Sequence, residues 1–118
     1  MISKQFITFV FSDIEHSTRL AQQLREDYPE LLEHHRSVIR GAVKKYNGKE
    51  IDTAGDGFFM TFESPNSAVL SAAEIQKEFH SLKWVTEIGL KVRMGIHTGV
   101  ALSTRIYGSR GSLSFYSL

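Results

Sequence analysis

A chain of 118 residues, 42% of them hydrophobic and 23% charged, has the size and composition of one compact globular domain. It contains no cysteine, which excludes disulfides and thiolate metal sites and favours a reducing compartment, so a cytoplasmic location is expected. The formal net charge of +1 indicates neither a nucleic-acid groove nor a basic membrane-binding patch, and the apolar runs are too short for a membrane-spanning segment.

The first half of the chain predicts one strand followed by two helices. The aromatic and β-branched run Phe6–Phe11 is typical of a buried strand. Ser17 is predicted to be the N-cap of a short helix. A longer helix is expected to begin at Asp27, with Glu30 as its capping-box partner, and to end in a left-handed residue at Asn47–Gly48.

A hairpin and a third helix follow. The runs Glu50–Thr53 and Phe58–Phe62 predict two short strands, and the glycine-rich link Ala54–Gly57 between them predicts a tight turn. Ser64, directly before a proline, is a favourable start for a helix with apolar residues on one stripe.

The last part of the chain predicts a loop, a strand and a divergent tail. A loop is expected around Trp84–Gly89, and the alternating segment Leu90–Thr98 predicts a strand whose residues 90, 92, 94 and 96 share one face. Periodicity fades over residues 102–118, where Leu113–Tyr116 fits a short edge strand and a loosely ordered segment fits equally well.

The order β, α(α), β, β, α, β predicts an α+β, ferredoxin-like fold, in which helices cover one face of an antiparallel sheet. The first strand is expected to be central and to neighbour the hairpin. We interpret residues 1–101 as the core of this fold and residues 102–118 as its divergent tail.

Two aspartates occupy informative positions in this predicted fold. Asp13 follows the first strand, and Asp56 lies at the tip of the hairpin. Each alone is better explained as a helix-cap or turn residue. If the two strands are neighbours, however, the carboxylates converge, and such a pair can hold two hard divalent cations.

Three other residues are candidates for phosphate binding. Ser17 and Thr18 lie where a strand leads into a helix N-terminus, a position that attracts phosphate. Arg93 lies on the polar side of the last strand, where a guanidinium can clamp a phosphate or simply be a solvated edge charge.

Three segments of the chain resemble motifs of class III nucleotide cyclase catalytic domains, the adenylate and guanylate cyclases. They are FVFSDIEHST at residues 9–18, TAGDGF at residues 53–58 and VRMGIHTG at residues 92–99. They occur in the family's order, and the resemblance covers roughly residues 6–101. The diguanylate cyclases share the core fold, but their hairpin has a glutamate after the aspartate, which this chain lacks.

The resemblance implies a reaction and a cofactor. In this family the ribose 3′-hydroxyl of ATP or GTP attacks the α-phosphate, which gives a 3′,5′-cyclic nucleotide and pyrophosphate. Asp13 and Asp56 match the aspartates that hold two Mg²⁺ or Mn²⁺ ions, and the carbonyl of Ile14 matches a further metal contact. Ser17, Thr18 and Arg93 match positions near the phosphates.

The chain also departs from the family pattern in two places within these motifs. His16 stands where glycine is usual, and its side chain is expected to crowd the phosphate turn. Asp52 stands where adenylate cyclases place a base-reading lysine. A carboxylate accepts hydrogen bonds, so Asp52 suits the N1–H and amino edge of guanine better than adenine.

A third departure concerns the other half of the family's site. Family members act as dimers with sites built across the interface, and a helix near the end carries an Asn-x-x-x-Arg motif that stabilises the transition state. This chain has two asparagines, Asn47 and Asn66, and the residues four positions later are Ile51 and Leu70. The motif is therefore absent, and the chain resembles a cyclase domain that is truncated at its C-terminus.

The sequence thus predicts a nucleotide cyclase-type domain that is inactive or impaired alone. It is expected to bind a nucleoside triphosphate and to form a homodimer, or a heterodimer with a complete cyclase domain. The alternative is a non-catalytic module for dimerisation or regulation that binds metal or nucleotide.

Overall fold

The computed structural model describes residues 2–104 and 112–116 of the chain. Its elements, in chain order, are β1 (Ile2–Ile14), α1 (Ser17–Leu24), a 3₁₀ turn (Arg25–Asp27), α2 (Tyr28–Lys45), β2 (Lys49–Ala54), β3 (Gly57–Phe62), α3 (Pro65–Ser81), α4 (Lys83–Ile88), β4 (Val92–Thr104) and β5 (Ser112–Tyr116).

The strands form one sheet in the order β2-β3-β1-β4-β5, and every neighbouring pair is antiparallel. β1 is central, between the β2–β3 hairpin and β4, as the sequence predicted. The ferredoxin-like α+β fold is therefore confirmed. This order brings the end of β1 beside the hairpin turn on one side and the start of β4 on the other.

The core lies between the sheet and the helices. Because side chains alternate along a strand, Val10 and Ile14 of β1 point to the helical layer, and both are almost fully buried. They pack in one cluster with Ile39 of α2 and Ile75 of α3. This packing fixes the end of β1, which carries Asp13, against the helices.

The opposite face of the sheet carries a second, smaller apolar cluster. Ile7 and Phe9 of β1 are buried there, with Phe59 of β3 packed against them. The rings of Phe59 and Phe11 stack with their centroids 4.6 Å apart. Phe11 nevertheless stays 52% exposed, so an aromatic surface remains open on this face.

Two predicted helix caps differ from the structure. Ser17 is the first residue of α1, and His16 is the N-cap residue in a left-handed conformation (φ 55°), so the predicted Ser17 cap is wrong. Asp27 does precede α2, but its side chain makes no capping hydrogen bond, because the preceding 3₁₀ turn already gives it helical backbone angles. Asn47 is left-handed (φ 57°), as predicted for the end of α2.

The segment after α3 also differs from the prediction. The expected loop around Trp84–Gly89 is a helix, α4, which ends at the left-handed Gly89. α4 forms because Val85, which is 2% exposed, is buried in the main core.

The last strands extend beyond their predicted bounds. Ile96 is 45% exposed although it shares a strand face with the buried Val92, so the buried stripe of β4 ends before it. β4 continues to Thr104, and the predicted boundary after residue 101 falls inside it. The predicted edge strand at Leu113–Tyr116 is confirmed, because β5 pairs with β4 at the edge of the sheet. Among the described helices, none has the length and apolar character needed to cross a bilayer.

Candidate active site

The end of β1 and the tip of the β2–β3 hairpin are in direct contact. The backbone N–H of Ile14 donates a hydrogen bond of 2.8 Å to Oδ2 of Asp56. Asp56 is carried by a turn whose first glycine, Gly55, has φ 58°, a left-handed conformation that glycine adopts without strain. Asp56 is thus held against Ile14, the residue that directly follows Asp13.

Asp13 is paired with Arg93 across the β1–β4 ladder, where the two residues are direct partners. Nε and Nη2 of Arg93 donate one hydrogen bond to each carboxylate oxygen of Asp13, both 2.8 Å long. These hydrogen bonds hold the pKa of Asp13 below its usual value and raise the pKa of Arg93. Both side chains are largely exposed, so solvent screens the pair and its contribution to stability is small.

One open cavity collects all six residues that the sequence predicted for metal and phosphate binding. Its volume is about 550 Å³, and it is lined by Asp13, Ile14, His16, Ser17, Thr18, Arg19, Gln22, Asp56 and Arg93. The cavity lies where β1 passes into α1, so the N-terminus of α1 borders it. At this position, backbone N–H groups and hydroxyls can bind an anion, and the carboxylates of Asp13 and Asp56 can bind a cation.

Asp52 lies outside that cavity, in a second one of about 510 Å³ on the sheet face that carries the aromatic cluster. Phe11 and Phe59 are among its lining residues, and Asp13 and Arg93 line both cavities. Oδ1 of Asp52 accepts a hydrogen bond of 2.9 Å from the N–H of Thr53. The two cavities are therefore joined at the Asp13–Arg93 pair, with Asp52 at the aromatic end.

His16 shapes the turn between β1 and α1. Its left-handed backbone is the conformation for which glycine is the natural choice, and for another residue it costs on the order of 1–2 kcal/mol. The carbonyl of His16 accepts the first hydrogen bond of α1, from the N–H of Leu20 at 3.1 Å. The backbone thus keeps the shape of the turn, and the imidazole, 66% exposed, lines the cavity beside it.

The donor atoms fit a hard divalent cation, which prefers carboxylate and carbonyl oxygens. Both carboxylate oxygens of Asp13 accept hydrogen bonds from the guanidinium of Arg93, a contact that a bound cation would have to displace. In residues 2–104 and 112–116, no three His, Asp or Glu side chains form a metal-binding cluster. A cation here would therefore be held by Asp13, Asp56 and the carbonyl of Ile14, together with oxygens of a bound ligand.

Sequence reasoning missed several residues that surround this site. Gln22 lies four residues after Thr18 in α1, so helical spacing alone places it on the same side. Arg36 of α2 reaches the hairpin turn and donates a hydrogen bond of 2.9 Å to the carbonyl of Gly55. No local pattern predicts that contact, because it joins residues 19 positions apart that only the folded chain brings together.

The chain is similar to known nucleotide cyclases along nearly its whole length. The family model for the adenylate and guanylate cyclase catalytic domain matches residues 1–116. The chain is 33% identical to an adenylate cyclase of Podospora anserina, over 82% of this chain and 5% of that protein. It is 32% identical to receptor-type adenylate cyclase B of Leishmania donovani, over 80% of this chain and 10% of that protein.

Solved structures agree with these sequence matches. An adenylate cyclase from Trypanosoma brucei, solved in its monomeric state, superposes with a TM-score of 0.81 at 26% identity, over 95% of this chain and 64% of that one. The adenylyl cyclase CyaB from P. aeruginosa shares the fold, with a TM-score of 0.80 at 23% identity, over 99% of this chain and 68% of that one. The chain therefore spans a small part of the curated relatives it matches and about two thirds of these solved domains, and it belongs to the adenylate and guanylate cyclase catalytic domain family.

Proposed function

We propose that this chain supplies the metal- and triphosphate-binding half of a nucleotide cyclase site. The observation that carries the proposal is one cavity whose lining includes Asp13, Ile14, Asp56, Ser17, Thr18 and Arg93. Oxygen donors for divalent cations and cationic or N–H donors for phosphate thus meet within one volume.

The proposed reaction is the cyclisation of a nucleoside triphosphate. The ribose O3′ forms a bond to the α-phosphorus, the bond from that phosphorus to the β-phosphate oxygen breaks, and pyrophosphate leaves with the electron pair. The 3′-hydroxyl proton passes to solvent. Two bound Mg²⁺ or Mn²⁺ ions would supply Lewis-acid stabilisation of the attacking and leaving oxygens.

The residues of this chain have separate parts in the proposal. Asp13 and Asp56 hold the cations, and the hydroxyls of Ser17 and Thr18 with the α1 N-terminus bind the triphosphate. Arg93 exchanges its contact with Asp13 for a phosphate, because bidentate guanidinium binding suits either anion. Asp52, in the adjoining aromatic cavity, accepts hydrogen bonds from guanine.

By themselves, these 118 residues should cyclise the nucleotide poorly. They contain no Asn-x-x-x-Arg sequence, and that pair stabilises the transition state in the family the chain resembles. Loss of one such stabilising group commonly costs about 10²–10³ in rate, and loss of two costs more. A partner domain that carries the motif would complete one site at a shared interface.

The test is complementation between two defective chains. The partner is a family domain that carries Asn-x-x-x-Arg but whose two metal-binding aspartates are replaced by alanine. With Mn²⁺ we expect neither chain alone to form cyclic nucleotide, the mixture to form it, and GTP to give more product than ATP. Replacing Asp13 by alanine in this chain should abolish the product. A mixture that stays inactive, or full activity of this chain alone, contradicts the half-site proposal.

A second candidate function is a module that binds metal and nucleotide without turnover. The absent motif favours it, as does the exposed ring of Phe11 stacked on Phe59, because exposed apolar side chains are typical of protein contacts. Binding of Mn²⁺ and triphosphate by this chain, together with an inactive mixture, is the result expected for such a module.

A further inference from the structure

The turn that carries Asp56 is weakly supported by the core. β2 is an edge strand, five of its six residues are exposed, and a bulge interrupts its pairing with β3 between Glu50 and Asp52. Gly55 adds backbone freedom at the turn itself. The turn is thus anchored mainly on its β3 side, where Phe58 is buried, and contacts from other elements are needed to fix its β2 side.

Two contacts from different elements hold this turn. From β1, the N–H of Ile14 donates to the Asp56 carboxylate at 2.8 Å. From α2, Nη2 of Arg36 donates to the carbonyl of Gly55 at 2.9 Å. The contact from Ile14 engages one carboxylate oxygen of Asp56, the proposed metal ligand. The contact from Arg36 instead fixes the backbone next to Asp56.

Arg36 is well placed to act as a rigid support. Its side chain is 25% exposed, and its Nη1 pairs with Glu33 one turn earlier in α2 at 3.2 Å. The next residue towards the N-terminus, His35, is fully buried in the core. The guanidinium thus projects from a firmly packed part of α2 towards the hairpin.

We propose that Arg36 is a positioning residue for the metal site, which holds the carbonyl of Gly55 so that Asp56 presents its carboxylate beside Asp13. The proposal rests on the proposed function, since it concerns the same pair of carboxylates. Arg36 belongs to α2 and lines neither of the two cavities, so this role extends the site beyond the residues named above.

The charge of Arg36 and its positioning role predict opposite effects of its removal on metal binding. A guanidinium near Asp56 repels a second cation, so its charge alone would weaken metal binding, and its removal would strengthen it. If position dominates, removal of Arg36 weakens metal binding instead.

The experiment measures the dissociation constant of Mn²⁺ alone, by electron paramagnetic resonance of the free ion. We expect Arg36→Met, which keeps an unbranched apolar stem and removes the donors, to bind Mn²⁺ roughly tenfold more weakly, the scale of other lost supports of metal ligands. Arg36→Lys keeps a donor and the charge, and it should recover most of the affinity. Glu33→Gln removes the other partner of Arg36 and should leave the affinity within about twofold of wild type.

Equal or tighter Mn²⁺ binding by Arg36→Met overturns the proposal, as does a loss of the same size in Glu33→Gln. If Arg36→Met does not fold, Arg36→Gln, whose side chain is too short to reach Gly55, takes its place with the same expectation.

Asp56→Asn separates the two proposals. If it loses Mn²⁺ and Arg36→Met does not, only the role of Arg36 fails. If the wild-type chain binds no Mn²⁺, or Asp56→Asn binds it normally, both proposals fail.

Discussion

His35 is a buried histidine that the motifs leave unexplained. It is fully buried, and its ring lies between those of Phe58 and Phe79, with centroids 5.7 and 5.6 Å away. Among the described residues, neither ring nitrogen has a hydrogen-bond partner. Burial lowers its pKa to about 4, although the Asp56 carboxylate acts in the opposite direction, and Arg36 lowers it slightly further. His35 therefore packs as an apolar ring.

This burial predicts a pH-dependent stability. Since the unfolded chain takes up a proton near pH 6.5 and the folded chain only near pH 4, stability is full above pH 6.5 and falls as the pH drops towards 4. Between pH 7 and pH 4.5 the loss from His35 amounts to about 2–3 kcal/mol. His35→Leu should remove this part of the pH dependence in urea unfolding, while His34→Gln, at the exposed neighbouring position, should keep it. An unchanged pH dependence in His35→Leu would contradict the interpretation.

At the residue scale, the sequence predicted those site residues that belong to local motifs. Asp13, Asp56 and Arg93 each lie in a short recognisable segment, and the predicted pairing of the first strand with the hairpin was enough to bring Asp13 and Asp56 together. The pairing of Arg93 with Asp13 and the reach of Arg36 to Gly55 were not predictable, because each depends on the register or packing of elements distant in the chain.

The helices show how far periodicity alone predicts the fold. α2 and α3 are 18 and 17 residues long, so their apolar stripes were evident from the sequence. α4 has only six residues, too few for a repeat, and was predicted as a loop. Its formation depends on the burial of Val85, which is a tertiary effect.

α3 offers a direct test of the assigned core face. Ile75 is 1% exposed and packs in the main cluster, whereas Val69 on the same helix is 53% exposed. Ile75→Ala should lower the free energy of unfolding by about 2–5 kcal/mol, because it opens a cavity in the core. Val69→Ala should change it by less than about 0.5 kcal/mol. Similar effects of the two substitutions in chemical denaturation would show that the packed face is misassigned.

At the scale of the whole molecule, the sheet order explains how the residues of the proposed metal and phosphate site come together. The central strand β1 contacts both the hairpin that carries Asp56 and the strand that carries Arg93. All residues of the proposed metal and phosphate site thus lie within residues 13–93, on elements that the main core holds together. Under the proposed function, the transition-state pair of the family is assigned to a partner domain.

The most direct measurement is a crystal structure of the chain grown with Mn²⁺ and a non-hydrolysable guanosine triphosphate, with anomalous diffraction recorded for manganese. Our account predicts two anomalous peaks roughly 3.5–4 Å apart between the carboxylates of Asp13 and Asp56, with Arg93 turned from Asp13 to a phosphate. Manganese absent from this cavity, or bound there to neither aspartate, would contradict it.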